Sequence, residues 1–358
     1  MSSPPLVLHV LPYDLPRGAQ RYARDMRSRL DGLGAAHRTL CLFESSRVAL
    51  HADFELSIRK TGLARLGLEP RALVALASKL AELRPAVVVA HGSEPLKYLA
   101  ALPKRAKLVY YKIGVVHPKA RAPLRRAAHA ALLRRADVVA GVSQECLDEA
   151  RDLFAVPERR LALIQNGRDP AVFRPAPKLS SLPALLFVGH VSASKRPGSF
   201  IATVRALREA GVECRALLIG DGPLLTDLSR DAAAANVTLL GARQDVPDLL
   251  RQGDVFVFTS VADGEGMPGV FIEAGLSGLP IVTTDVPGAR SCVVDGVSGY
   301  VVPIDAPAQL TRRVRELLES PSLREAMGAA ARAHCVQNFS LDSSVQAWSA
   351  LLQRLLAT

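Results

Sequence analysis

Two glutamates flank a glycine-rich turn in the segment 260–274, which carries the clearest chemistry of the chain. Pro268 suits the first position of a helix, because its missing N–H costs nothing there. The free amides of Gly269 and Val270 would then face outward and form an anion site suited to a phosphate. Gly266 and Gly269 let ligand atoms approach the backbone closely. The segment therefore predicts a phosphate-binding turn.

The two glutamates are Glu265, just before the predicted helix, and Glu273, one to two turns into it. Ionised carboxylates only accept hydrogen bonds, so such a pair suits a ligand with hydroxyl groups on both sides of its phosphates. A nucleotide sugar has this layout, with ribose at one end of the diphosphate and a hexose at the other. The alternative is an acidic loop and a surface glutamate that bind nothing.

A second loop places two cations near a predicted helix start. It follows a strand that ends at Gly189 and delivers Lys195 and Arg196. Cations at a helix N-terminus are unfavourable without a counter-anion, so a bound diphosphate would explain them. A P-loop would need glycine before the lysine and Ser or Thr after it, but Ser194 and Arg196 occupy those positions, which excludes that motif. A pair of solvated surface cations is the alternative.

Further glycine turns follow predicted strands. Gly220 and Gly241 each end a strand, with Arg243 shortly after the second, and Gly18 begins a predicted helix near the N-terminus. Ligands of open α/β sheets bind beyond the carboxyl ends of the strands, so these loops suit a nucleotide base or phosphate, although ordinary turns are the alternative. The chain has no Asp-x-Asp pair, so we expect no metal.

Short apolar strands alternate with amphipathic helices along the chain, which predicts two parallel sheets covered by helices. We expect a first domain over residues 1–172 and a second over 173–338, with a proline-rich linker at about 172–183. The segment 339–358 is expected to form a helix that packs back on the first domain. The predicted strands cover residues 6–10, 86–90, 107–113, 137–141, 184–188, 215–219, 238–240, 255–258, 280–283 and 299–302.

Composition narrows the class of protein. No apolar run approaches the roughly 20 residues that span a bilayer, and the N-terminus lacks the pattern of a signal peptide. The five cysteines are scattered without metal-binding spacing, which indicates reduced structural thiols. These features predict a cytoplasmic protein.

The formal net charge of +11 is unevenly placed: residues 1–175 carry 29 Lys and Arg against 16 Asp and Glu, and the remainder carries 16 against 18. A solvated basic surface would explain this excess, and so would an anionic partner such as a membrane or a lipid phosphate. Few aromatic residues accompany the cations, which disfavours nucleic acid. A predicted helix over 123–135 combines arginines with Leu and Ala, which suits peripheral contact at the inner face of an anionic membrane.

Taken in order, these motifs resemble glycosyltransferase family 4, the retaining nucleotide-sugar transferases with the GT-B fold. The strongest likeness is the Glu-x7-Glu signature of Glu265 and Glu273. Supporting motifs are Val188-Gly189 with Lys195, Gln165-Asn166-Gly167 with Phe173, Asp137-Val138-Val139 with Val142-Ser143, 278–282, Asp295-Gly296 and Gly299-Tyr300. The resemblance implies two Rossmann-like domains that face a central cleft, with the C-terminal helix crossing back to the first.

The resemblance also implies roles for single residues. Glu265 would contact the donor sugar, and Lys195, with Arg196, would neutralise the diphosphate as the catalytic set. Glu273 would bind the ribose diol. The implied donor-binding residues are Gly18, Gly189, His190, Gly220, Gly241, Arg243, Gly266, Met267, Gly269, Val270 and Glu273.

Three positions depart from the family pattern. His190 stands where the family has arginine, and Arg17-Gly18 where it usually has two glycines. The strand 107–113 lacks the histidine that the family often places beside the sugar. The acceptor-side candidates for that role are His91, Lys112 and His117.

The implied function is transfer of a hexose from UDP- or GDP-sugar to a glycan, a glycolipid or a small metabolite, as in polysaccharide biosynthesis, without cofactor or metal. Two alternatives remain open. One is a nucleotide-sugar epimerase or hydrolase on the same fold, which would consume donor without acceptor. The other is a non-catalytic, regulatory paralogue that binds nucleotide sugar.

Overall fold

The computed structural model of the chain describes residues 4–14, 18–44, 51–61, 67–117, 121–177, 182–262 and 265–357. The chain divides into two compact units. Unit 1 comprises Met1–Asn166 and Leu341–Thr358, and unit 2 comprises Gly167–Ser340. From the sequence we expected boundaries after residues 172 and 338.

Unit 1 is built on a parallel sheet with the strand order β3-β2-β1-β4-β5-β6-β7 among its described residues. Its strands are β1 (Leu6–Tyr13), β2 (Ala36–Phe43), β3 (Phe54–Ile58), β4 (Val87–His91), β5 (Lys107–Lys112), β6 (Val138–Gly141) and β7 (Leu161–Leu163). Its helices are α1 (Gly18–Leu30), α2 (Pro70–Leu83), α3 (Ser93–Ala101), α4 (Pro123–Arg135), α5 (Gln144–Asp148) and, at the end of the chain, α13 (Leu341–Leu356).

The central strands of unit 1 are buried on both faces, which explains their continuous runs of valine and leucine. The helix α13 packs against α1 and β4. It is fixed there by Trp348, which is fully buried and donates its indole N–H to the hydroxyl of Tyr22 at 2.9 Å. A buried tryptophan normally finds such a partner, so this contact anchors the end of the chain in unit 1.

Unit 2 carries a second parallel sheet with the strand order β10-β9-β8-β11-β12-β13 among its described residues. Its strands are β8 (Ala184–Val188), β9 (Arg215–Ile219), β10 (Thr238–Gly241), β11 (Val255–Phe258), β12 (Ile281–Thr284) and β13 (Gly299–Val302). Its helices are α6 (Pro197–Glu209), α7 (Ser229–Ala234), α8 (Val246–Arg251), α9 (Gly269–Leu276), α10 (Ala289–Cys292), α11 (Pro307–Glu319) and α12 (Pro321–Phe339).

The prediction of two parallel-sheet, Rossmann-like domains is confirmed. Both strand orders reverse direction beside the first strand of the unit, which places a topological switch point between β1 and β4 and between β8 and β11. The loops at the carboxyl ends of these strands are therefore where a ligand site is expected. Within the described part of the chain, no helix combines the length and apolar character needed to cross a bilayer.

Candidate active site

The loop after β8 is tied to the loop after β11 at the switch point of unit 2. The hydroxyl of Thr259 lies 3.0 Å from the carbonyl oxygen of Lys195 and 2.8 Å from that of Arg196. The amide of Val261 donates to the carbonyl of Ser194 at 2.8 Å. These bonds hold the backbone of Lys195 at the carboxyl edge of the sheet, where a ligand is expected.

Lys195 forms an ion pair with Glu265. Ser260 donates its hydroxyl to the same carboxylate oxygen at 2.7 Å, and the Lys195 ammonium lies 5.0 Å from the centroid of the Phe258 ring. The side chains of Lys195 and Glu265 are only 22% and 10% exposed, so water screens their attraction less than it screens a surface pair. The structure therefore brings together the two residues that the family resemblance assigns to the diphosphate and the sugar.

Glu273 forms the second ion pair of the site. Arg168 donates from Nε to Glu273 Oε1 at 2.7 Å and from a terminal nitrogen to the carbonyl of Gly167 at 3.0 Å. The two side chains are 6% and 17% exposed. The helix α9 begins at Gly269 with Pro268 as its cap, one residue later than the sequence suggested.

Glycine at the start of α9 leaves room for an arginine side chain. A Cβ on Gly269 would lie 2.3 Å from the guanidinium of Arg168, so that group sits directly beside the helix N-terminus. A cation there is unfavourable unless an anion accompanies it, and Glu273 is that anion. The first amides of a helix have no intrahelical acceptor. A phosphate at this end would meet both these amides and the guanidinium.

Sequence reasoning missed Arg168. It follows the turn Asn166-Gly167, and nothing in the spacing links it to a glutamate 105 positions away. An arginine directly after a predicted turn is a weak signal, and only the folded chain shows its partner.

The predicted glycine turns lie side by side. Gly220 has a φ of +143°, and a Cβ on it would lie 1.8 Å from the carbonyl oxygen of Gly189. Its amide donates to the carbonyl of Gly241 at 2.9 Å. The ends of β8, β9 and β10 thus meet at one edge, and glycine is required at Gly220 for this close backbone approach.

The turn before α9 is packed equally closely. Gly288 has a φ of +79°, and a Cβ on it would lie 2.5 Å from the carbonyl oxygen of Gly266. The side chain of Met267 is buried, and Val270 is the second residue of α9. Arg17, and residues 263 and 264 of the segment 260–274, lie outside the described residues.

Three further residues that the resemblance assigns to the donor bond groups other than Glu265 and Glu273. Arg196 adopts the left-handed conformation, with a φ of 47°, as the cap of α6. The observed contacts are His190 Nδ1 with the Asp221 carbonyl at 2.6 Å, Arg196 with Asp305 at 3.3 Å and Arg243 with Asp245 at 2.6 Å. The structure therefore separates Arg196 from Lys195, its neighbour in sequence.

Two family models match the chain. Residues 16–172 match the model described as Glycosyltransferase Family 4, and residues 182–320 match the model described as glycosyl transferases group 1. The chain belongs to glycosyltransferase family 4. Its Glu265 and Glu273 lie within the second match.

Curated relatives of this family 4 chain are also named as glycosyltransferases. It is 27% identical over 239 residues to the alpha-D-kanosaminyltransferase of Streptomyces kanamyceticus, covering 62% of this chain and 61% of that protein. It is 29% identical over 246 residues to the D-inositol 3-phosphate glycosyltransferase of Thermobispora bispora, covering 61% and 55%. The match thus spans little more than half the length of these relatives.

A solved structure shares the fold. The HepE protein of Anabaena, crystallised with UDP and glucose, superimposes with a TM-score of 0.81 at 18% identity, covering 98% of this chain and 99% of that one. At this identity the likeness concerns the fold alone, and it supports the GT-B assignment.

The candidate ligand-binding residues of unit 1 are either exposed or buried and paired within the unit. Gly18 begins α1 and is exposed, and so is His117. Lys112, the last residue of β5, is fully buried and bonds Glu149 at 2.6 Å and the carbonyl of Gly114 at 2.7 Å. Burial by itself would lower the pKa of Lys112. Electrostatic interactions with nearby groups, including the hydrogen-bonded Glu149, outweigh burial, so the pKa of Lys112 is raised. It is a charged, internally paired lysine.

His91 belongs to a buried row of histidines, His37–His9–His91. His9 lies 3.0 Å from His91 and 3.1 Å from His37 through its two ring nitrogens. His91 Nδ1 has no hydrogen-bond partner in the described part of the chain. Burial lowers the pKa of His91 to about 3 and that of His37 to about 4, and it lowers the pKa of His9 well below its usual value. The row is therefore neutral in the folded chain.

Unit 1 should lose stability in mild acid. Unfolded imidazoles titrate near pH 6.5, so the unfolded chain binds more protons than the folded one below that pH. The stabilisation is complete above about pH 7 and is lost as pH falls towards the lowered pKa values. From about pH 7.5 to about pH 5, His91 alone should cost on the order of 2 kcal/mol.

Trp348 reports this loss, because it is the single tryptophan of the chain and its ring lies 6.4 Å from that of His9. Urea unfolding followed by its emission should show a lower midpoint at the acid pH. A His91→Gln variant should show a weaker dependence on pH. Equal midpoints for the native chain at both pH values would contradict the neutral row.

Proposed function

We propose that the chain transfers a hexose, with retention of anomeric configuration, from a UDP- or GDP-sugar to a glycan, a glycolipid or a small metabolite. The arrangement that carries the proposal is the pair of ion pairs, Lys195–Glu265 and Arg168–Glu273, formed before and within the start of α9. They supply cations for a diphosphate and carboxylates for hydroxyl groups on either side of it. Two of the relatives described above are named for glycosyl transfer, and HepE was crystallised with UDP and glucose.

The chemistry follows from these groups. Transfer breaks the bond between the anomeric carbon and the diphosphate and joins that carbon to a hydroxyl oxygen of the acceptor, whose proton passes to a phosphate oxygen of the donor. Negative charge therefore grows on the leaving phosphate as the bond breaks. Fixed cations and amides that face this charge stabilise the transition state more than the ground state. Lys195, Arg168 and the first amides of α9 fill that role, and Glu265 and Glu273 orient sugar and ribose. No metal is needed for this neutralisation.

The choice of nucleotide is testable by calorimetric melting of the native chain with UDP, GDP or ADP. A ligand that binds only the folded state stabilises it by about 2.7 kcal/mol at a hundred times its dissociation constant. We expect UDP or GDP to raise the melting temperature and ADP to leave it nearly unchanged, with EDTA making no difference. If none of the three shifts the melt, the chain does not bind a nucleotide donor.

The products formed from the preferred donor distinguish a transferase from a hydrolase, an epimerase or a regulatory paralogue. Incubated with the preferred donor alone, a transferase should release little nucleoside diphosphate, because its acceptor is missing. Rapid release of free sugar would favour a hydrolase, and an isomerised nucleotide sugar would favour an epimerase. Tight binding without turnover across a panel of acceptors would favour a regulatory paralogue.

We further propose that unit 1 serves the acceptor and contacts an anionic membrane surface through α4. Arg125 and Arg126 on this helix are exposed, and Leu124 is 85% exposed. Leu133 is the buried residue of the helix. Exposed leucine among arginines suits insertion beside anionic headgroups, at roughly 1 kcal/mol per cation close to the surface. This would place the chain at the cytoplasmic face of the membrane.

Vesicle co-sedimentation tests this contact. The native chain should bind phosphatidylglycerol vesicles but not phosphatidylcholine vesicles, and binding should decline past about 0.2 M salt, because exposed charges are screened within about 10 Å. Replacing Arg125 and Arg126 by Gln should weaken binding roughly 30-fold, at about 1 kcal/mol each. The control replaces the exposed Arg205 and Arg230 of unit 2 by Gln. Equal losses in both double variants would reject α4 as the contact.

A further inference from the structure

A cavity of about 680 Å³ lies within unit 1, and its described lining contains none of the residues assigned above to the donor or the acceptor. It is lined by Val88 and Leu108, the second residues of β4 and β5. His91 and Lys112 end the same two strands at their carboxyl ends. Because the strands are parallel, the cavity lies at the amino edge of the sheet, opposite the edge where the family's ligand loops are expected.

The floor and wall of the cavity are apolar. Val88, Leu99 and Leu108 are buried in the core of the unit, and α2 contributes Ala77, Leu80 and Ala81. Protein interiors are close-packed and leave few voids larger than a water molecule. A space of this size falls in the range of small-molecule sites, which are mostly apolar with a few convergent polar groups.

The polar side chains among the described lining residues are all cations: Arg84, Lys104, Arg105 and Arg135. Lys104 is paired with Asp137 at 2.7 Å, and Arg135 donates to the carbonyl of Leu102 at 2.8 Å. Arg84 and Arg105 are exposed and have no ion pair in the part of the chain that the structure describes. One carboxylate thus accompanies four cations, and this surplus of positive charge favours an anionic ligand.

Arg84 stands at the end of α2. It caps the C-terminus of α2 in the left-handed conformation, with a φ of 47°, and its amide donates to the carbonyl of Leu80. A left-handed backbone is unfavourable for a residue with a Cβ. The turn therefore places the backbone of Arg84 where α2 ends and the cavity begins.

We infer that this cavity binds an anionic amphiphile, with its acyl chain against the apolar floor and its phosphate at the cations. The apolar lining favours removal of methylene groups from water, and the guanidinium groups match phosphate geometry. Arg135 is also the last residue of α4. An amphiphile held here lies beside the helix that we propose contacts the membrane, but the inference does not require glycosyl transfer.

Dodecyl phosphate, kept below its micelle concentration, is the probe, and calorimetric titration into the native chain is the measurement. We expect binding, whereas inorganic phosphate and dodecyltrimethylammonium should not bind. Ala77→Phe fills the cavity and should weaken binding roughly tenfold or more. Ser78→Phe, at the exposed neighbouring position on α2 that does not line the cavity, should not. No binding by the native chain, or equal binding by Ala77→Phe, would overturn the inference.

A second pair of variants leaves the core untouched. Arg84→Ser with Arg105→Ser should weaken dodecyl phosphate binding, whereas Arg59→Ser with Arg159→Ser, exposed cations outside the cavity, should not. If both double variants lose dodecyl phosphate binding equally, the loss comes from the lower net charge of the chain, and the proposed site is wrong.

Vesicles then identify the source of the amphiphile. Loss of phosphatidylglycerol vesicle binding in Ala77→Phe indicates a membrane lipid, and unchanged vesicle binding indicates a soluble alkyl phosphate. UDP or GDP stabilisation, measured on the same variants, reports on unit 2 and so separates failure of this inference from failure of the proposed transferase.

Discussion

Lys195→Ala is expected to lower kcat/KM roughly 30- to 1000-fold, because it removes a charge-assisted contact to the leaving diphosphate. This loss corresponds to about 2–4 kcal/mol of transition-state stabilisation. The loop that carries Lys195 is tied to the strand end after β11, so the ammonium is held near the expected phosphate without reorganisation. Steady-state kinetics with the preferred donor and acceptor would measure the loss. Both kcat and kcat/KM should fall, since the contact strengthens as charge develops.

Lys79→Ala is the control. Its ammonium pairs with Glu82 on the surface of α2, and such pairs contribute little. The ion pair of Lys195 with Glu265 adds a complication, because Lys195→Ala also leaves that carboxylate with Ser260 as its described partner. Binding of the free nucleoside diphosphate separates the two effects, since it needs the cation but not the sugar contact. If the Lys195 and Lys79 variants retain similar activity, Lys195 does not serve the phosphate.

The sheet of unit 2 could be predicted almost strand by strand. Each of its strands is a short apolar run, mostly bounded by Gly, Pro or Asp, such as Val255–Phe258. Strands buried on both faces produce such runs, and turn residues mark their ends. Every predicted strand of this unit begins or ends within one residue of the observed one.

Unit 1 was harder, because three of its strands do not have that pattern. β2 carries His37, Arg38 and Thr39 in succession, yet His37 and Thr39 are buried. His37 is satisfied by His9, and Thr39 by Asp53 at 2.8 Å. Polar residues become acceptable inside a sheet when partners from other elements satisfy them, and a single sequence does not show those partners. β3 and β7 are short edge strands with mixed composition.

The candidate site was predictable as a neighbourhood but not as a set of pairs. Parallel strands bring their carboxyl ends together, so the loops after β8 and β11 had to meet. Which cation pairs with which carboxylate depends on backbone turns. The left-handed φ of Arg196 directs it to Asp305, while Lys195 reaches Glu265, 70 positions away.

The two signature glutamates should divide their work. We expect Glu273→Gln to weaken binding of the free nucleoside diphosphate roughly 10- to 100-fold, because charge-assisted hydrogen bonds are worth about 1.5–3 kcal/mol. The variant loses the anion that accompanies Arg168 at the start of α9, and it offers the ribose diol a weaker acceptor. Glu265→Gln should leave nucleotide affinity within a few-fold and mainly lower kcat, since Glu265 faces Lys195 and the proposed sugar.

Calorimetric titration of the diphosphate into both variants measures this division, with Glu316→Gln as the control, a surface glutamate of α11 paired with Arg313. A 2′-deoxyribose analogue sharpens the test. The native chain should prefer the ribonucleotide, and Glu273→Gln should lose most of that preference while Glu265→Gln keeps it. Arg168→Met should reduce the preference as well, because Glu273 then lacks the guanidinium that holds its carboxylate. Equal loss of affinity and of ribose preference in the two glutamate variants would show that they do not serve separate ends of the donor.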